Sequence, residues 1–92
     1  MNSHAIERQV TVGNGRKRHV LPAASFVRLM NRFRCDVRVA YNGNEVDGKS
    51  VLDLMTLAPL EGTKVWIRIE GPDAAEAMHA VDQLVQSRSD ND

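Results

Sequence analysis

Residues 63–70 read Thr63-Lys64-Val65-Trp66-Ile67-Arg68-Ile69-Glu70. Val65, Ile67 and Ile69 fall on one side of an extended chain, and Lys64, Trp66, Arg68 and Glu70 on the other. Alternation with a period of two marks a half-buried strand. A strand with one polar face belongs to an antiparallel sheet open to water on that side, with helices covering the other. Trp66 lands on the open side by parity. So large an apolar surface there is either a contact point, for a partner or a second copy of the chain, or a lone indole sheltered by neighbouring arginine stems.

Working outward, residues 6–12 carry a second alternating run, Gln9-Val10-Thr11-Val12, that stops at Gly13-Asn14-Gly15. Residues 36–41 alternate again, with Val37, Val39 and Tyr41 opposite Arg38 and Ala40. Asn42-Gly43 is a hairpin turn signal, and Glu45-Val46 begins the return strand. Helical spacing appears three times. Phe26, Val27, Met30 and Phe33 predict a helix over residues 20–33, with Pro22 in its first turn. Val51-Leu52-Asp53-Leu54-Met55 follows Ser50, an N-cap with Asp53 three positions on, and Ala58-Pro59 and Gly62 end that helix. Ala74, Ala77, Met78, Val81 and Leu84 form the buried stripe of a last helix, which begins at the capping pair Asp73 and Glu76; residues 87–92 read as a frayed tail. The order is β-α-β-β-α-β-α.

Ninety-two residues suffice for one compact domain and are too few for two. With 42% hydrophobic residues but only one Trp, one Tyr and two Phe, the core should be built from Val, Leu, Ile, Met and Ala. The single Cys35 excludes an intrachain disulfide, and it has no metal-ligand spacing with His4, His19 or His79. No metal or cofactor is expected. No signal-like segment or membrane-length apolar run occurs, so the reading is a soluble cytoplasmic domain without membrane insertion.

The charge is balanced overall but unevenly placed. Residues 1–40 hold eight Lys/Arg against two acidic residues, a balance of +6, whereas residues 41–92 hold four against ten, a balance of −6. Arg28 and Arg32 on the first helix, with Arg16, Lys17 and Arg18 before it, would make one face basic. Such a face either steers toward an acidic partner or a phosphate, or is simply solvated. The loop lacks interleaved aromatics and the other half of the chain is acidic, which argues against a nucleic-acid partner.

His19 stands just before this helix, in Arg18-His19-Val20-Leu21-Pro22-Ala23-Ala24. Unpaired backbone N–H groups and the helix dipole favour anions at such a position, so an imidazole there can hold a phosphoryl group. The plain alternative is a solvated or capping histidine. His4 and His79 read as solvated.

These residues resemble the HPr family, the histidine-containing phosphocarriers of the bacterial phosphoenolpyruvate-dependent sugar phosphotransferase system. The resemblance rests on His19 before Pro22-Ala23-Ala24, on Tyr41-Asn42-Gly43, on Gly48-Lys49-Ser50, and on Glu61-Gly62-Thr63 ahead of an alternating strand. It runs from about residue 5 to residue 88 and implies one HPr-like domain over residues 1–92, with an ordered core over about 5–88. The implied fold is α+β, an open-faced β-sandwich with a four-stranded antiparallel sheet and three helices on one face. The resemblance further implies that His19 takes a phosphoryl group from enzyme I on Nδ1 and passes it to a sugar-specific enzyme IIA. The protein would then be a covalent intermediate and not a turnover enzyme. Ser50 matches the serine that an HPr kinase/phosphorylase modifies in many Gram-positive members. Val51, Leu52, Leu54 and Met55 would form the apolar docking patch beside it, and Arg28 would join the partner contact.

One position departs from the family. The motif Gly-Leu/Ile-His-Ala-Arg-Pro-Ala is here Lys17-Arg18-His19-Val20-Leu21-Pro22-Ala23, so Leu21 replaces the arginine expected to bridge to the phosphoryl oxygens. Arg16, Lys17 and Arg18 are the candidate replacements for that charge. A regulatory protein-binding module without phosphotransfer is the alternative that Leu21 keeps open.

Overall fold

The computed structural model describes residues 5–11, 23–57 and 64–90, with the backbone alone for residues 86–90. Four strands and three helices follow one another as β1 (Ala5–Thr11), α1 (Ala23–Met30), β2 (Asp36–Tyr41), β3 (Asn44–Asp47), α2 (Val51–Leu57), β4 (Lys64–Glu70) and α3 (Ala74–Asp90). The strands form one antiparallel sheet in the order β1-β4-β2-β3. The expected α+β open-faced sandwich is present.

The alternation in β4 sorts its side chains as the sequence requires. Val65, Ile67 and Ile69 are buried, whereas Lys64 and Trp66 are exposed. Val37 and Val39 of β2 and Val10 of β1 complete the inner face. Phe26, Val27 and Met30 of α1 and Ala74, Ala77, Met78 and Val81 of α3 close over it. Core composition is thus aliphatic, with Phe26 the one fully buried aromatic among the described residues.

Three boundaries differ from the sequence reading. Helix α1 ends at Met30 and leaves Phe33 in the following turn. Beyond Met30 the backbone bonds shorten from the i→i−4 pattern of Asn31 N–H to Val27 C=O to i→i−3 bonds from Arg32 and Phe33, which tightens and stops the helix. Phe33 still packs against the core, from the turn, which is why its spacing mimics helix. Asp73 does not pair with Glu76. Its carboxylate accepts the Arg34 N–H at 2.7 Å, while the Arg34 carbonyl accepts the Asp73 N–H at 3.2 Å. Helix α3 runs on to Asp90, past the point where fraying was expected, because extending a formed helix adds one bond per residue fixed. The proposed ends of α1 at residues 20–22 and of α2 at Ala58, Pro59 and Gly62 lie outside the described residues.

Asn42 and Gly43 both adopt positive φ, 56° and 84°, as a two-residue hairpin needs to follow the sheet's twist. Gly48 is constrained differently. Its N–H donates to the Val37 carbonyl at 2.7 Å, and a Cβ there would collide with the Val37 side chain and lie 3.2 Å from Val39 Cγ2. Gly48→Ala should therefore lower unfolding stability by about 1–3 kcal/mol, the usual cost of overpacking. Urea denaturation checks this, and an unchanged midpoint would refute the close approach.

Candidate functional site

Ser50 closes the loop after β3 and starts α2. Its Oγ accepts the Asp53 N–H at 3.1 Å and its carbonyl accepts the Leu54 N–H at 3.1 Å, so it is a working N-cap. The reciprocal half of the capping box is taken by another group, because the Ser50 N–H donates to the Asp47 carbonyl at 3.3 Å. Asp47 also uses its carboxylate, accepting the Lys49 N–H at 2.9 Å. The serine hydroxyl is thus held at the first turn of a helix by its own loop.

Two side chains brace that loop against α1. Asn31 Nδ2 donates to the Val27 carbonyl at 2.9 Å and to the Lys49 carbonyl at 3.2 Å. Lys49 Nζ reaches back to the Phe33 carbonyl at 2.8 Å. The first turn of α2 is therefore anchored to the last turn of α1. Neither brace was anticipated. Asn31 reads in sequence as a residue at a helix end, and nothing local signals a partner eighteen positions away.

Helix α2 contains no fully buried residue. Leu54 and Leu57, three apart, turn inward and pack against the core. Leu52 and Met55, also three apart, turn outward and are 76% and 66% exposed, with Val51 at 38%. The four-residue patch implied by the family resemblance is thus divided: Val51, Leu52 and Met55 face solvent, and Leu54 serves the core. Arg28 is exposed on α1. His19, with Arg16, Lys17, Arg18 and Leu21, lies outside the described residues.

Trp66 is 49% exposed on the open face of the sheet, as parity requires. It shares a shallow cavity of about 310 Å³ with Glu7, Arg38, Ala40, Glu45 and Arg68. His79 is exposed on α3. Cys35 is half-buried; desolvation pushes its thiol above the ordinary range, against the pull of Lys49 and with the help of Asp73 and Asp36. Among the described residues no three His, Cys, Asp or Glu side chains group as metal ligands, and no helix is long and apolar enough to cross a membrane.

Fold and surface together define a small α+β open-faced sandwich that offers an exposed apolar helix, capped by a serine and braced against the end of α1. Comparison with known proteins agrees. The family "PTS HPr component phosphorylation site" matches residues 6–87. The phosphocarrier protein HPr of Xylella fastidiosa strain Temecula1 is 33% identical over 95% of this chain and 98% of its own length. The HPr-like protein Crh of Bacillus subtilis is 42% identical over 71% of this chain and 76% of its own. The crystal structure of a phosphocarrier protein HPr from Bacillus anthracis superposes with a TM-score of 0.73 at 35% identity, covering 89% of this chain and 98% of that one. The chain belongs to the HPr family of the phosphotransferase system.

Two outcomes test this geometry. Ser50→Ala should cost about 1 kcal/mol, a Tm loss of roughly 4–8 °C for a domain of this size, while Ser50→Asp keeps the cap and most of the stability. Thermal denaturation followed by circular dichroism measures both. Because burial favours the protonated thiol, Cys35 should alkylate more slowly than free cysteine at neutral pH. Its rate should still be climbing above the pH where a free thiol has levelled off. Iodoacetamide labelling followed by mass spectrometry reads this directly.

Proposed function

We propose that this chain is a phosphoryl carrier, taking phosphate from enzyme I on His19 and handing it to a sugar-specific enzyme IIA in the cytoplasm. The observation that carries the reading is the family match across residues 6–87, which spans His19 and the Pro22-Ala23 start of the helix behind it. The chemistry suits the residue. An unprotonated imidazole nitrogen attacks the phosphorus, a new N–P bond forms, and the bond to the donor breaks. The resulting phosphoramidate is reactive enough to be passed on. Such a carrier works as one domain, needs neither metal nor cofactor, and is itself the intermediate; the relatives are likewise named phosphocarrier proteins.

Leu21 bears on the rate. One charge-assisted hydrogen bond to the phosphoryl oxygens contributes about 1.5–3 kcal/mol, so its loss slows transfer by roughly ten- to a hundred-fold unless another cation replaces it. We assign that replacement to the cluster Arg16, Lys17 and Arg18. Val51, Leu52 and Met55, with Arg28, form the surface for enzyme I and enzyme IIA. Ser50 is the position an HPr kinase/phosphorylase would modify, and a phosphate there would add negative charge beside Asp53 and the apolar patch.

A second reading, an HPr-like regulatory module without phosphotransfer, is favoured by Leu21 itself. Intact-mass measurement after incubation with phosphoenolpyruvate and enzyme I separates the two. The carrier reading expects an acid-labile phosphoryl adduct on the wild type that is absent in His19→Ala, with Leu21→Arg raising the rate by no more than a few-fold. An adduct that appears only in Leu21→Arg would reject it and leave the binding module.

A further inference from the structure

Helix α2 meets the core through Leu54 and Leu57, three positions apart on one side, and no residue of it is fully buried. Contacts confined to one side leave a helix free to roll about the line that joins them. Side chains reach about 5–6 Å from a helix axis, so a roll of about 10° carries Leu52 and Met55 by about 1 Å. The exposed pair is therefore only as well placed as the anchors that lie off that line.

Gly48 ties the preceding loop to β2, its N–H donating to the Val37 carbonyl at 2.7 Å. Toward α1 the loop is tied by two side chains of different stiffness. Lys49 Nζ reaches the Phe33 carbonyl at 2.8 Å on a flexible four-carbon stem. Asn31 has a short, planar amide, whose Nδ2 donates to the Val27 carbonyl at 2.9 Å and to the Lys49 carbonyl at 3.2 Å. The Asn31 N–H also donates to the Val27 carbonyl, at 3.0 Å, so this side chain springs from backbone that is still helical. It joins two backbones directly: the end of α1 and the residue before the Ser50 cap. Arg28 stands three positions before Asn31, exposed on the same side of α1.

We propose, on the reading that α2 and Arg28 together meet enzyme I, that Asn31 is a positioning residue for that docking. Its amide fixes where Leu52 and Met55 stand relative to Arg28, so a partner touching both helices meets one spacing and not a range of them. Asn31 acts without touching the partner. Its loss lets α2 roll, and binding must then order the helix again. Such a loss weakens ground state and transition state alike, which raises KM and spares kcat.

Phosphoryl transfer from enzyme I to the full chain, with phosphoenolpyruvate as donor and chain concentration varied, gives KM and kcat for each variant. Asn31→Ala loses both side-chain bonds. Asn31→Ser keeps a hydroxyl that can donate to the Val27 carbonyl four positions back, but it is too short for Lys49. Both should raise KM about 3- to 10-fold, the range of one net hydrogen bond, and leave kcat within about two-fold. The Tm of Asn31→Ser should stay within about 4 °C of the wild type, which separates misplacement from unfolding. Leu52→Asp strikes the patch itself and should raise KM at least as much. A wild type that takes no phosphoryl group, or a Leu52→Asp that leaves KM alone, rejects the docking reading and the proposal with it. A KM raised by Leu52→Asp but left at the wild-type value by Asn31→Ser rejects the proposal alone, as does an Asn31→Ser that lowers kcat at unchanged KM.

Discussion

One-sided burial of β4 is the constraint on which the structure depends. This strand is central, paired with β1 on one edge and β2 on the other, and its inner face is Val65, Ile67 and Ile69. Burying three such side chains contributes about 5–9 kcal/mol at the usual 1.5–3 kcal/mol each, a large share of a small domain's net stability. A register slip of one residue would turn all three to water and bring Trp66, Arg68 and Lys64 inside. The neighbouring strands and the two larger helices are placed by that requirement. Ala74 and Ala77 let α3 lie close to the sheet, while Phe26, Met30 and Met78 fill the space between the layers.

Helix α2 is the exception, and its construction shows why it can serve as a surface. Seven residues are too few for an independent helix, and none of them is fully buried. Its stability is supplied from outside: the Ser50 cap, the Gly48 approach to Val37, the Asn31 and Lys49 braces, and two leucines resting on the core. Because the anchors all lie at one end or on one side, Leu52 and Met55 are left to solvent without loosening the fold. Apolar exposure concentrated on a short, well-tethered helix is the physical property that a docking surface would require.

Much of this was legible in the chain itself, for reasons that differ from element to element. The strands announced themselves through alternation because one face is wet, and Asn42-Gly43 fixed the hairpin through its positive φ values. Helix ends were less legible. Phe33 keeps helical spacing from a turn, and the Asp73 carboxylate serves Arg34, thirty-nine residues away, in place of its own helix. Leu54 is the instructive case. The family resemblance put it in the apolar patch with its neighbours, but the helical period separates it from Leu52 and Met55 and gives it to the core. The histidine loop is the reverse: its motif is the plainest functional signal in the sequence, and residues 12–22 lie outside those the structure describes.

The uneven charge of the chain finds its explanation in the strand order. The sheet runs β1-β4-β2-β3, so strands from the basic half alternate with strands from the acidic half. Ion pairs then form between the halves: Arg8 with Asp82 and Arg38 with Glu45 each join a residue before position 41 to one after it. Each exposed pair adds little stability, about 0–1 kcal/mol. Their collective effect is to mix the signs, with Arg38 and Arg68 of the open face each held by carboxylates. Helix α1 has no such neighbour. Among the described residues no ion pair reaches Arg28 or Arg32, so the basic character of the first half survives there undiluted. One topology thus produces two surfaces of different kind on opposite sides of the sheet: a helix side where Arg28 has no ion-pair partner among the described residues, and a mixed-charge open face.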